Sequence, residues 1–132
     1  MFAASEVHIP GLPEGVPQVV NVTYDCWALH VTLLFERHPT RPVYVTFNSV
    51  GFRVLDEGQL VHYWEEPDRP KGCIWRVLSG GWFEQESARP GFLLGAHHEA
   101  GDPRPYEFLV VGGDACVSVF SWGEPHVRQA EP

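Results

Sequence analysis

Apolar and polar residues alternate with a period of two over much of this chain. Leu29, Val31, Leu33 and Phe35 alternate with His30, Thr32 and Leu34, the repeat of a strand with one buried face. The stretch "ERHPTRP" interrupts the pattern, and Val43, Val45 and Phe47 then alternate with Tyr44, Thr46 and Asn48. These two segments predict a hairpin. Residues from Val19 onward are rich in Val, Thr, Leu and aromatics and belong to the same β region, and "FRVL" after Gly51 predicts a further short strand.

The period changes in "DEGQLVHYWEEP". Leu60, Val61 and Trp64 fall on one face at helical spacing, Asp56 is placed to cap the N-terminus, and Pro67 ends the pattern. A helix is predicted over about residues 56–66, weakened at Gly58 by ~1 kcal/mol relative to Ala. The segment "CIWRVLSGGWFEQES" predicts a second hairpin around Ser79, Gly80 and Gly81, with Val77 opposite Phe83 and Arg76 opposite Glu84. A third hairpin is predicted in "YEFLVVGGDACVSVFSW", turning at Gly113 and Asp114, with Val110 opposite Val117 and Phe108 opposite Val119.

Three prolines in "PGLPEGVP" fix φ and remove amide donors, so residues 1–18 read as an extended arm along the domain. Residues 124–132 read as an edge or a frayed tail. The whole chain, residues 1–132, reads as a single domain. Its predicted class is α+β, mainly β: an antiparallel, curled or barrel-like sheet built from hairpins, with one short helix.

Charge and cysteine usage narrow the functional classes. Nine basic and seventeen acidic residues give a net charge of −8. The halves 1–66 and 67–132 carry three and six basic residues against eight and nine acidic ones, so no basic region hides in the average. Such a field repels nucleic-acid phosphates and anionic membranes and attracts a basic protein. Cys26, Cys73 and Cys116 are odd in number, widely spaced and set in apolar runs, which predicts buried thiols in a reducing cytoplasm. The N-terminus has no basic and apolar leader, and no apolar run approaches a membrane span.

Candidate chemistry is sparse. "GAHHEAGDPRPYEF" places His97 and His98 side by side with Glu99 and Asp102 nearby. Adjacent histidines point apart in a strand, and no second zinc motif accompanies them. A polar loop is expected there, with neither a metal nor another cofactor. Cys26 and His30 would share a strand face but lie ~13 Å apart, too far for a nucleophile and its base. No G-x-S-x-G, P-loop or dinucleotide fingerprint occurs, so no catalytic residue is assigned.

The acidic pattern carries more information. Asp56 and Glu57 stand at the predicted helix N-terminus, where the macrodipole favours them, whereas Glu65 and Glu66 stand at the C-terminus, where it does not. Asp68 follows closely, and Glu84 and Glu86 would share a strand face. With Tyr63 and Trp82 as exposed aromatic anchors, these residues form a candidate docking surface for a basic partner. The opposing reading is that Arg69 and Lys71 neutralise the cluster locally.

Two stretches, "GFRVLDEGQLVHYW" and "YEFLVVGGDACVSVFSWGEP", resemble small, acidic, cytosolic bacterial proteins without catalytic motifs, several sets of which serve as immunity proteins in toxin and immunity systems. The resemblance covers about half the chain and carries no signature residue. It implies a non-catalytic protein that occludes a basic toxin through a preformed acidic and aromatic surface. The alternative is a small-molecule-binding β domain or an enzyme, with an aromatic-lined pocket and His62, His97 or His98 at its mouth. A homodimer through an exposed sheet edge is compatible with each reading.

Overall fold

A computed structural model describes residues 3–13, 15–56, 73–90 and 105–131. Strand β1 spans Ala3–Glu6, β2 Gln18–Tyr24, β3 Leu29–Leu34, β4 Val43–Phe47, β5 Ser49–Asp56 and β6 Ile74–Ser79. Helix α1 follows at Trp82–Ser87, then β7 at Tyr106–Val111, β8 at Ala115–Ser121 and β9 at His126–Gln129. Every pairing among these strands is antiparallel.

The strands form two sheets, ordered β1-β6-β7-β8-β5 and β2-β3-β4-β9. Leu29, Val31, Leu33, Val43, Val45 and Phe47 of the four-stranded sheet share one core with Ile74, Phe108, Val110, Val117 and Val119 of the five-stranded sheet. The architecture is therefore a sandwich of two open sheets, not a closed barrel. Phe47 and Phe108 meet across it at 5.6 Å between ring centroids. Burying each such ring contributes roughly 1.5–3 kcal/mol.

The alternation in β3 and β4 follows from this layering. Their inward residues are buried while His30, Thr32, Tyr44 and Thr46 are half-buried on the outer face. The β3–β4 hairpin has the predicted pairing, with Val31 opposite Val45. Strands β7 and β8 instead read as continuous apolar runs because both their faces are covered. Phe108 and Val110 face the sandwich core, whereas Leu109, Val111 and Cys116 belong to a second cluster with Val77. The predicted third hairpin forms in its predicted register, with Val110 opposite Val117 and Phe108 opposite Val119.

Its turn shows why position 112 is glycine. A Cβ on Gly112 would lie 2.7 Å from the Ala115 carbonyl oxygen and 2.9 Å from Val19 Cγ2. Gly113 donates its amide to Pro17, and Asp114 Oδ1 accepts the Val19 amide at 3.1 Å. The turn thus ties the five-stranded sheet to the start of β2.

The second hairpin does not form. β6 pairs with β1 and β7, and Trp82–Ser87 is helical. Arg76 consequently lies opposite Ser5 and Phe108, not Glu84, and Val77 lies opposite Ala4 and Glu107, not Phe83. The predicted helix over 56–66 lies outside the described residues except for Asp56, which ends β5. The N-terminal arm contributes β1 to the five-stranded sheet, and the C-terminal segment supplies the edge strand β9. Cys73 and Cys116 are buried as expected, but Cys26 is exposed, at φ +73° in the turn between β2 and β3. That turn was not legible from alternation, because "DCWA" holds none of the usual glycine or proline breakers.

Candidate partner-binding site

Of the nine residues proposed from the sequence as a docking surface, Glu57, Tyr63, Glu65, Glu66 and Asp68 lie outside the described residues, and Asp56 is described only as the last residue of β5. Trp82, Glu84 and Glu86 are brought together on α1, against the outer face of the five-stranded sheet.

Helix α1 is short, and its amide donors need partners that it cannot supply itself. No side chain of its own caps it. Instead Glu107, on the neighbouring strand β7, accepts the Trp82 amide through Oε2 at 2.9 Å and the Phe83 amide through Oε1 at 2.9 Å. Gly81 permits this approach, since a Cβ there would sit 2.5 Å from Glu107 Oε2 and 2.6 Å from Val77 Cγ1. Glu107 is 8% exposed. Burial pushes its carboxyl above the ordinary range, against the opposing pull of the two amides and of Arg53.

The apolar side of α1 closes on Phe120. Trp82 stacks on that ring at 4.2 Å and Phe83 meets it edge-on at 5.5 Å. The Arg53 guanidinium lies 4.9 Å from the Trp82 ring centroid, a cation–π contact. Trp82 is thus half-buried between Phe120 and Arg53, not an exposed anchor.

Glu84 and Glu86 do not share a face, because residues two apart diverge on a helix. Glu86 accepts from Arg89 at 2.6 Å and from the Trp82 indole at 3.2 Å. The Arg89 hydrogen bond, followed by that of the indole, holds the Glu86 carboxyl below its usual range. Glu84 is exposed and lines a cavity of about 250 Å³ together with Arg76, Leu78, Phe83, Tyr106 and Glu107. Leu78 and Tyr106 remain 61% and 37% exposed at its rim. The Arg76 guanidinium sits 4.1 Å from the Tyr106 ring centroid.

Glu107, Arg53 and Tyr106 were absent from the sequence-derived set. A signal existed for Glu107: it is the only charged residue in the apolar run "YEFLVV", and a carboxylate buried among such neighbours requires donors. Arg53 and Tyr106 reach α1 only through the sheet order.

Other chemistry-bearing groups are spent on local structure. Asp25 Oδ1 accepts the amides of Ala28 and Trp27 at 2.7 and 2.9 Å, and His30 lies 3.2 Å from Asp25 and 3.3 Å from Thr46. The Ala28 amide, then the Trp27 amide and His30, lower the Asp25 carboxyl. Thr46 sits within the ladder between β3 and β9, and Asp25, His30 and Thr46 do not line the cavity beside α1. Burial raises the Cys73 thiol to about 11, which keeps it protonated at neutral pH and unreactive.

Among the described residues no three His, Cys, Asp or Glu side chains converge as a metal-binding group, and no helix is long and apolar enough to cross a membrane. His62, His97 and His98 lie outside the described residues. Compared with known proteins, the chain matches no family model, no curated protein and no solved structure.

Proposed function

We propose that this chain is a non-catalytic protein-binding domain, most concretely an immunity protein that neutralises a cognate basic bacterial toxin in the cytoplasm by covering it. The observation that carries the reading is the cavity beside α1. The exposed carboxylate of Glu84 and the buried carboxylate of Glu107 share it with the half-exposed Tyr106 and Leu78. A lysine or arginine of a partner finds there the exposed carboxylate of Glu84 and the apolar wall of Leu78, beside Arg76, which already lies over the Tyr106 ring.

The net charge of −8 supports the same reading at long range, because it speeds encounter with a basic protein. Glu107, Trp82 and Glu86 are committed to holding α1 against the sheet. Their role is to keep the surface preformed, which lowers the ordering cost of binding.

A protection assay tests this reading. Cells expressing a basic toxin recovered as the partner of this chain should survive when they co-express the wild-type protein and die when they co-express Glu84→Lys at equal abundance. Equal protection by Glu84→Lys would remove the cavity from the interface. Death with the wild-type protein would remove the immunity reading itself.

A further inference from the structure

The alternation of β3 breaks at its last residue. His30 and Thr32 occupy the first two outward positions, but the third is Leu34, an apolar side chain that is only half-buried. Its cross-strand partner is Gln18, the first residue of β2, and shortly before Gln18 comes Val16, which is 47% exposed. Leu34 and Val16 border one groove of about 580 Å³, to which the arm also contributes Pro17, the loop after β3 Glu36 and Pro39, and the β7–β8 turn Asp114. That volume falls in the range of small-molecule sites.

Hydrogen bonds fix the walls of this groove in advance. Gly113 donates its amide to the Pro17 carbonyl at 2.9 Å, and Asp114 Oδ1 accepts the Val19 amide at 3.1 Å, so the turn and the arm hold each other. The loop after β3 is closed by the His38 amide, which donates to the Phe35 carbonyl at 3.0 Å, and by the Arg41 amide, which donates to the His38 carbonyl at 3.2 Å. Walls held in this way lose little freedom when a ligand enters.

The charge in the groove has one sign. Glu36 and Asp114 are exposed carboxylates in its wall, and among the described residues no Lys, Arg or His side chain lines it. Arg37 and His38 follow Glu36 in the sequence but are not part of the wall. Among the described residues neither carboxylate takes part in an ion pair. The Val19 amide uses one acceptor position of Asp114, and a carboxylate offers about four. A cleft lined by charge of one sign concentrates the opposite sign. Among the described residues no third His, Cys, Asp or Glu converges with a pair to hold a metal, and half of the wall is apolar, so the chemistry suits an organic cation.

We propose that this groove binds a small organic cation, a primary ammonium or guanidinium group on an apolar body, with the cation against Glu36 and Asp114 and the body on Val16, Leu34 and Pro39. The groove shares no residue with the cavity beside α1 and stands independently of the toxin-binding reading.

Proton–nitrogen correlation spectra of the full-length protein at neutral pH test it, titrated with phenethylamine, a cation under those conditions, and with phenethyl alcohol, its uncharged counterpart. Phenethylamine should move the amides of Val16, Gln18, Glu36, Gly113 and Asp114 saturably, and phenethyl alcohol should bind at least about fivefold more weakly. Asp114→Asn keeps an oxygen for the Val19 amide, Glu36 is exposed, and the dispersion of the same spectra reports that each variant is folded. Glu36→Gln and Asp114→Asn should each weaken phenethylamine and leave phenethyl alcohol unchanged. Shifts absent from these amides, equal binding of amine and alcohol, or amine binding unaffected by both substitutions would overturn the proposal. Tighter binding of Nα-acetyl-lysine methylamide than of phenethylamine would also overturn it, by giving the groove to a lysine of a protein partner.

Discussion

Glu107 connects a strand, a helix and the candidate site. It is a carboxylate in the buried face of β7 that satisfies two amides of α1, so the cost of its desolvation is set against two charge-assisted hydrogen bonds. Replacing it by Gln leaves an amide N–H₂ facing one of those donors. Urea denaturation of Glu107→Gln should show a loss of about 1–3 kcal/mol at neutral pH. The pH dependence has a definite sign. The folded carboxyl titrates above its unfolded value because burial dominates, so the folded state holds the extra proton between the two values. Its contribution to stability therefore decreases as pH rises through that window. The stability difference between wild type and Glu107→Gln should widen as pH is lowered from neutral through the window, and a constant difference would place Glu107 in a less desolvated setting. At Gly81, substitution by Ala should destabilise the protein for a steric reason, because the new Cβ collides with both Glu107 and Val77. Its melting temperature should fall below that of wild type, whereas Gly123→Ala, with nothing within 4 Å, should melt as wild type does.

Among the elements, the turn joining β2 to β3 depends on one acid. Asp25 has its carboxyl lowered by the Ala28 and Trp27 amides and by His30, so its contribution is present above the unfolded value and is lost as pH falls through the folded one. Asp25→Ala should lower the melting temperature at neutral pH, with the gap to wild type closing in acid. A gap that persists when Asp25 is protonated would trace the effect to something other than the carboxylate. The contrast between this turn and the β7–β8 turn shows what was legible in the sequence. Gly112, Gly113 and Asp114 announce a reversal between two apolar runs, and the register of the third hairpin could be read residue by residue. The β2–β3 turn has no glycine and relies on the single side-chain acceptor Asp25, so the run from Val19 to Phe35 concealed two strands. Helix α1 was hidden for a related reason. "GGWFEQES" after a β run resembles the return strand of a hairpin, and the group that makes it helical, Glu107, is 25 residues further on from Trp82. The same distance explains the partial reading of the site. Glu84 was identified from its charge, but its neighbours Tyr106 and Glu107 arrive from β7, and sheet order is not written locally in a sequence.

Across the whole molecule, the sandwich separates its core from its outer faces. Its core is made by the inward residues of both sheets, and Phe108→Ala should cost about 3–5 kcal/mol because the ring is fully buried against Phe47. Equilibrium unfolding measures that loss. The outer face of the five-stranded sheet carries α1 and the acidic cavity beside it. This acidic surface is proposed to dock a basic protein. Its most direct test is affinity capture from lysate of the native host, at low and high salt, with wild-type and Glu84→Lys protein as bait. A single stoichiometric basic partner, held at low salt, released at high salt and lost with Glu84→Lys, is the predicted result. No such protein at low salt, or one retained equally by Glu84→Lys, would rule out docking at this surface.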